Sequence, residues 1–483
     1  MRGLLASREQ NLLQLLELLQ KKNFATFLQL QEAMQVNTRT LTALIEYSNE
    51  LFYPIRIQKI AEGPVKLILP SNLSVSYCYQ KILTASPEFQ LIELVFLETL
   101  TLDDLADKLF ISRSTLRRLL RKINEILAMR DFQIDPSTLD FTGDEKQICN
   151  FMIHLFMEKY SDCTFLFSEH RVQFVEKIIK QTMKKRSVPL SFPDFFRVKV
   201  WLLIIFHRAD RKVLKPSVSQ ETYFQRPSFL SAFSTSSLRS NLGFALKRNR
   251  YLDFIDAVIS DGFIFSYQEL LDKADQNPSL KERKQKFEEI IHNIEAYFNI
   301  STENSLDKIL VDLCNVSNLQ IGPPYILYDS QSIFIREASK FNSSFIQSLQ
   351  DLFGTVYPHL KTHVLHTYIY ILITHWPKLL SELRKNAEKL AISLVFDSDS
   401  EHLDMIKELI QTIFPHKFSV TVINTFENLT QLPTIVSDEI IVTNIQGLVV
   451  SDKTIISFSL YPTTEELENL FACYEENCHK KRL

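Results

Sequence analysis

The stretch LDDLADKLFISRSTLRRLLRKIN, residues 102–124, constrains this chain more tightly than any other. Leu102, Leu105, Ala106 and Leu109 recur at helical spacing. After a short break, Leu116, Leu119, Leu120, Ile123 and Ile126 do the same. Each set makes one apolar stripe. Phe110, Ile111 and Ser112 fall between them. Ser112 is a favourable N-cap, so a second helix is expected over residues 113–127. Two short amphipathic helices joined by a tight turn make a helix-turn-helix, whose second helix enters the major groove N-terminal end first.

Charge follows the same division. Arg113, Arg117, Arg118, Arg121 and Lys122 lie off the apolar stripe, and Glu125 is the lone acid of that helix. Ser112, Ser114 and Thr115 stand at its N-terminus, where hydroxyls and the helix dipole both favour phosphate. Arginine reads guanine bidentately, so Arg113 and Arg117 are the expected base readers. Arg118, Arg121 and Lys122 are expected to clamp the backbone. Asp103, Asp104 and Asp107 are expected on the preceding helix, away from the reading surface. The whole chain has a net charge of −3 and a pI near 6.4, so any nucleic-acid contact has to be a local patch.

DFQIDPSTLDFTG (131–143) reads as strand, Asp-Pro turn, strand, the wing of a winged helix-turn-helix. A second copy lies upstream. Residues 8–20 are strongly helical, and residues 26–51 repeat the helix–turn–helix pattern. Asn37 or Thr38 is expected to cap the reading helix there, and Arg39 is the only cation near its start. Residues 55–69 make its hairpin, with the turn at Gly63-Pro64. Thr38 and Arg39 are therefore further DNA-binding candidates.

At 483 residues the chain is too long for one core, and ~150 residues per domain suggests three or four. Residues 145–390 read as helical. VKVWLLIIFHRADRK (198–212) and HTYIYILITHWPKLL (366–380) form a weak repeat, each an apolar helix ending in one histidine, His207 or His375. The Ser-rich segment 217–241 is expected as a loop. His359, His363 and His366 share a helical face, but with no H-E-x-x-H motif a metalloprotease is excluded and no metal site is assigned. The six cysteines are scattered, as expected of reduced thiols. With 8 glycines, phosphate-cradling loops are not expected, and no cofactor is assigned. No run of ~18 apolar residues occurs, so a cytoplasmic protein without membrane contact is expected. Past residue 390 the pattern changes: strands at 390–396, 417–423, 439–444 and 454–460 alternate with helices at 401–414 and 463–477. That is the pattern of a small α/β domain with a mainly parallel sheet.

Tandem helix-turn-helix units, two helical regions with one terminal histidine each, and an α/β tail resemble the Mga/AtxA-type virulence regulators of Gram-positive bacteria. The likeness runs in domain order over essentially the full length. Its most specific local part is LADKLFISRSTLRRLLRKIN. The resemblance implies a cytoplasmic, double-stranded-DNA-binding transcription regulator, not an enzyme. It also implies a homodimer or higher oligomer tuned by histidine phosphorylation from the phosphocarrier protein of the sugar phosphotransferase system. By resemblance, LLIIFH places His207 at the acceptor position of a first phosphotransferase-system regulation domain and YILITH places His375 at that of a second, with His170 and His366 as weaker candidates. The tail resembles an enzyme IIB. Its first strand is followed by FDSDSEH with no cysteine, so it should dock or dimerise rather than transfer phosphate.

The expected architecture is mainly α and multidomain. It has winged helix-turn-helix domains at 1–72 and 73–145, helical regulation domains at 146–286 and 287–388, and the enzyme IIB-like α/β domain at 389–483. The competing readings are a phosphocarrier component of the phosphotransferase system and an RNA-binding antiterminator. The missing cysteine opposes the first. The helical N-terminus opposes the second.

Overall fold

The computed structural model describes residues 1–22, 25–59, 63–186, 192–210, 264–319, 321–340, 342–386, 389–425 and 428–480. The Ser-rich segment 217–241 lies outside the described residues, as do the side chains of Cys478 and His479. The chain divides into two compact units. One comprises Met1–Asp272, Cys314–Phe334 and Lys361–Thr367; the other comprises Lys273–Leu313, Ile335–Leu360 and Tyr368–Leu483.

The first unit opens with α1 (Ser7–Lys22), α2 (Phe27–Met34), α3 (Thr38–Leu51) and the antiparallel hairpin β1 (Arg56–Lys59)–β2 (Val65–Ile68). There follow α4 (Ser76–Ala85), α5 (Pro87–Leu97), α6 (Leu102–Lys108), α7 (Arg113–Leu127) and the hairpin β3 (Phe132–Asp135)–β4 (Asp140–Gly143). The helices α8 (Glu145–Lys159), α9 (Glu169–Arg186) and α10 (Phe192–Asp210) come next. One continuous core runs through all of them, from Leu4 and Leu16 through Phe96, Leu120 and Phe141 to Phe156, Leu203 and Phe206. A core this continuous does not respect the boundary expected at residue 145. Gly143 closes the second hairpin at φ +124°, where a Cβ would stand 2.4 Å from the Asp131 carbonyl oxygen, so no other residue fits without a backbone shift.

The remaining helices are α11 (Tyr267–Gln276), α12 (Pro278–Phe298), α13 (Leu306–Leu319), α14 (Ser330–Ser339), α15 (Ser343–Val356), α16 (Thr362–His375) and α17 (Leu379–Lys385). In the second unit, Phe287 meets the rings of Tyr357 and Tyr368, and Phe353 stacks on Tyr368. The tail then forms β5 (Leu390–Val395), α18 (Ser400–Ile413), β6 (Phe418–Val422), the short α19 (Leu432–Ile435), β7 (Ile440–Thr443), β8 (Thr454–Ser457) and α20 (Thr464–Lys480). Its four strands are wholly parallel, in the order β6-β5-β7-β8. Alternation along the strands gives the sheet two dry faces. Ile392, Leu394, Ile440 and Val442 pack with Leu403, Ile406 and Leu470; Val395 and Ile441 pack with Leu432 and Val436 on the other side. The expected strands and helices of this domain are all present, with ends shifted by up to three residues. Among the described residues, no helix is long and apolar enough to cross a membrane.

Candidate nucleic-acid interface

Capping sets the ends of α6 and α7. Thr101 and Asp104 form a capping box at the start of α6: the Thr101 hydroxyl accepts from the Asp104 N–H at 3.2 Å, and the Asp104 carboxylate accepts from the Thr101 N–H at 2.9 Å. Hydrogen bonds from the Thr101 hydroxyl and N–H hold the Asp104 carboxyl below its ordinary pKa. Phe110 then takes a left-handed conformation at φ +54° and is 93% exposed. Ser112 Oγ accepts from the Thr115 N–H at 3.2 Å and starts α7 where expected. Leu116, Leu120, Ile123 and Leu127 are buried along one stripe.

On the opposite side, Arg117, Arg118 and Arg121 are exposed, as are Ser112, Arg113 and Ser114, with Thr115 half-buried. The hydroxyl oxygens of Ser112 and Ser114 lie 2.9 Å apart. Two of the expected contacts are placed differently. Arg113 forms a two-pronged ion pair with Asp103 of α6, so Asp103 sits beside the reading surface rather than away from it. Lys122 donates to the Leu5 carbonyl and to Glu88 of α5, each at 2.9 Å. Its ammonium ties the N-terminal segment to α5 instead of standing open as a backbone clamp. Neither partner lies near Lys122 in sequence, so helical spacing alone gave no sign of them.

The N-terminal half repeats this arrangement. Thr26 and Thr101, Gln35 and Phe110, Asn37 and Ser112, and Asn49 and Asn124 are four pairs, each 75 positions apart. Thr26 forms a capping box with Gln29. Gln35 is left-handed at φ +55°. Asn37, not Thr38, caps α3, accepting from the Thr40 N–H at 2.8 Å. Near the end of each second helix an asparagine pins the following hairpin. Asn49 accepts from the Ile57 N–H at 2.6 Å and donates to its carbonyl at 3.0 Å; Asn124 does the same with Ile134 at 2.8 and 2.7 Å. The sequence signal was available in the shared offset, but an asparagine looks polar and unremarkable until its hairpin partner is known. Thr38 and Arg39 are exposed. Where α7 carries Arg117, Arg118 and Arg121, α3 carries Thr42, Ala43 and Glu46. The two copies share a scaffold but not a charge.

Residues 71–156 match the model of the Mga helix-turn-helix domain. This stretch is similar to the Mga helix-turn-helix domain. It contains α4 to α7, the second hairpin and most of α8, and so includes every arginine of the reading helix. The chain is also 26% identical over 204 residues to the capsule synthesis positive regulator AcpA of Bacillus anthracis. That alignment covers 42% of this chain and 42% of the relative, less than half the length of either. Both findings agree with the likeness to Mga/AtxA-type regulators carried by residues 102–124.

The four histidines fall in different settings. His207, in the last turn of α10, donates from Nε2 to the Phe96 carbonyl of the Mga domain at 2.9 Å, and its ring packs against Phe96 and Phe167. A carbonyl only accepts, so the proton sits on Nε2. Beside it, the buried Arg208 pairs with Glu145 at 2.5 Å and donates to the Phe141 carbonyl of β4 at 3.1 Å. His375, in the last turn of α16, lies with Nδ1 2.7 Å from Asp312 Oδ2 of α13. That contact holds the Nδ1 proton and leaves Nε2 as the nucleophilic nitrogen. His170 is exposed in the first turn of α9. His366 Nδ1 is 3.9 Å from Asp329.

In the tail, the loop after β5 is occupied by capping. Asp399 accepts from the His402 N–H at 2.8 Å, and the Asp397 N–H donates to Asn444 at 2.7 Å. His402 in turn reaches Ser398 and the Leu460 carbonyl. Thr463 and Glu466 form a capping pair at the start of α20. Among the described residues, no three His, Cys, Asp or Glu side chains group as metal ligands.

Proposed function

We propose that this chain is a DNA-binding transcription regulator that reads duplex DNA with α7. The observation that carries the reading is the exposed row Arg117, Arg118 and Arg121 on the second helix of a Mga helix-turn-helix domain. These three guanidinium groups share one exposed face of α7 and, among the described residues, form no ion pair, and the capped helix N-terminus adds phosphate donors at Ser112, Ser114 and Thr115. Arg113 can join once Asp103 releases it, since exposed ion pairs contribute only about 0–1 kcal/mol. The hairpin β3–β4 serves as the wing. Affinity then comes chiefly from phosphate neutralisation, with modest sequence preference. The first copy, with Thr38 and Arg39 as its available contacts, supports docking rather than reading.

Regulation, in this proposal, is phosphorylation of His207 and His375 by the phosphocarrier protein of the sugar phosphotransferase system. His207 is the more informative of the two, because it and Arg208 tie the end of α10 to the Mga domain. A phosphoryl group adds about two negative charges; placed on the His207 ring it would act directly on that contact. The tail and the regulation regions are the proposed dimer or oligomer surfaces, and the chain needs no catalysis of its own.

The test is a salt titration of binding to a promoter-length duplex. Steep weakening with salt is expected. Absence of duplex binding at low salt, for both the unmodified and the phosphorylated chain, refutes the proposal.

A further inference from the structure

The two copies divide their charge in opposite senses. In the second copy the cations sit on α7, and its hairpin β3–β4 contains neither lysine nor arginine. In the first copy α3 keeps only Arg39, and the cations fall on the hairpin β1–β2 and the helix after it. From Phe52 to Pro87 the chain holds Arg56, Lys59, Lys66 and Lys81 against one acid, Glu62, which lies outside the described residues. In a chain of net charge −3 this is a second local positive patch, separate in sequence from α7.

Strand register places these cations. Arg56 stands across the hairpin from Ile68, and Gln58 across from Lys66. Alternation then puts Arg56 and Lys66 on one face, with Ile57, Val65 and Leu67 on the other. Ile57 and Val65 are buried, whereas Arg56, Gln58, Lys66 and Ile68 are exposed, so the face with the two cations is the solvent face. Arg56 and Lys66 are diagonal neighbours, which in such a ladder stand roughly 7–8 Å apart. Among the described residues neither forms an ion pair. Two rings carry the patch on to α4. The Arg56 guanidinium lies 5.9 Å from the centroid of the Tyr53 ring, which is 62% exposed. The Tyr53 carbonyl accepts from the Tyr77 hydroxyl at 3.1 Å, and the Lys81 ammonium lies 5.1 Å from the Tyr77 ring centroid. Exposed cation–π contacts contribute only about 0.5–1 kcal/mol, so these cations stay open to an anion. Asn49 holds the hairpin to α3 through Ile57, which fixes how the face is presented.

We propose that the solvent face of β1–β2 is a second DNA-contacting surface, which takes phosphates of duplex DNA on Arg56 and Lys66, with Lys81 at its border. The inference rests on the duplex-binding reading above and names the part of the first copy that makes its docking contact. Charge selects the occupant. Two cations without ion-pair partners, held at fixed register on a strand pair, suit the phosphate line of a duplex, and they belong to the same scaffold whose other copy carries the reading helix. Base readers do not accompany them, since α3 has Thr42, Ala43 and Glu46 where α7 has arginines. The contact is therefore indifferent to sequence: it adds affinity and leaves the choice of site to α7.

The experiment measures the salt dependence of full-chain binding to promoter-length duplexes, with Arg56→Gln/Lys66→Gln beside the wild type. Losing two phosphate contacts is expected to lower the slope of log affinity against log salt by about 2, and the affinity at about 0.1 M salt by about tenfold or more. Duplexes of different sequence are expected to lose affinity alike. Lys281→Gln/Lys308→Gln removes two exposed cations of the second unit and should leave the slope unchanged. If the double variant does not fold, as judged by circular dichroism, each single substitution is expected to lower the slope by about 1. An unchanged slope in Arg56→Gln/Lys66→Gln, with a lowered slope in Arg117→Ala/Arg118→Ala, overturns this proposal and leaves the reading by α7 standing. A wild type that binds no duplex overturns both. An equal fall in the Lys281/Lys308 variant overturns it as an effect of net charge. Loss of single-stranded DNA or RNA binding with duplex binding intact overturns it too, by assigning the face to unpaired strands.

Discussion

Arg117 and Arg118 are exposed neighbours on α7, while Arg113, four residues before Arg117, is held by Asp103. This sorts the expected contacts by availability. Arg117→Ala/Arg118→Ala should lower the slope of log affinity against log salt by about 2, one per lost phosphate contact, with little change in thermal stability; an unchanged slope in a filter-binding titration would place the interface elsewhere. Asp103→Ala should act in the opposite sense. It frees Arg113 and removes a negative charge from beside the reading helix, so low-salt affinity should rise several-fold while folding stability moves by less than about 1 kcal/mol. Weaker binding by that variant would mean Asp103 positions Arg113 rather than competing for it. The basic face of α7 was legible from the sequence because it depends on helical period alone. The Asp103 pair and the engagement of Lys122 with Leu5 and Glu88 were not, because each depends on where another element folds. His154 is a third residue with a measurable signature. Its folded pKa is depressed by burial first and by Arg130 and Arg197 next, so the stability it contributes is complete above its ordinary value of 6.5 and is lost as pH falls through about 4. Between those limits the loss approaches ~1.4 kcal/mol per pH unit. His154→Gln should flatten that acid limb in urea unfolding; an unaltered limb would show that His154 is not buried neutral.

Elements whose limits are set locally were the easiest to foresee. Ser112 and the leucine stripe define α7, and the Asp135-Pro136 turn defines the second wing. The tail's strands are short apolar runs between turn residues, and their ends alone were uncertain, since nothing local stops a buried strand. What local reading missed is the link between elements. Asn124 gives both sides of its amide to Ile134, and Asn49 does so to Ile57, which fixes hairpin to helix in both copies. Asn124→Ala leaves the Ile134 N–H and C=O without these partners in a part-buried place and should cost about 1–3 kcal/mol. The measurement is the urea midpoint of the full chain, with DNA affinity expected to fall too as the wing loosens. A shift below about 0.5 kcal/mol would show that water replaces the amide at no loss. The 75-residue offset also separates what the two copies share from what they do not. Capping, the left-handed turn residue and the pin are retained because the scaffold needs them, whereas solvent-facing positions are free to lose charge.

At the level of the whole molecule, the sequence pattern placed five domains in order, while the described structure condenses into two units, the first with a continuous core from Leu4 to Phe206. Boundaries were illegible because helices on either side of residue 145 share buried partners, and apolar periodicity does not say which helix it faces. This packing is what makes control of DNA binding from α10 physically plausible. In the proposed mechanism, incubation with the phosphorylated phosphocarrier protein should change the duplex affinity of the wild type by several-fold. His207→Ala should retain basal affinity and lose most of that response, as read by fluorescence anisotropy. An identical response in the variant would move the control to His375 or elsewhere.

The hydrogen bond from His207 to the Phe96 carbonyl has one further consequence, which is thermodynamic. Any equilibrium that couples this bond to DNA runs in both directions with one shared coupling constant. If modification of the imidazole loosens the Mga domain's hold on its operator, an occupied operator must disfavour the modified imidazole by the same factor. Promoter occupancy would then act as an input to the phosphorylation state as well as its output, and a cell with many free operators would hold less modified protein at the same sugar supply.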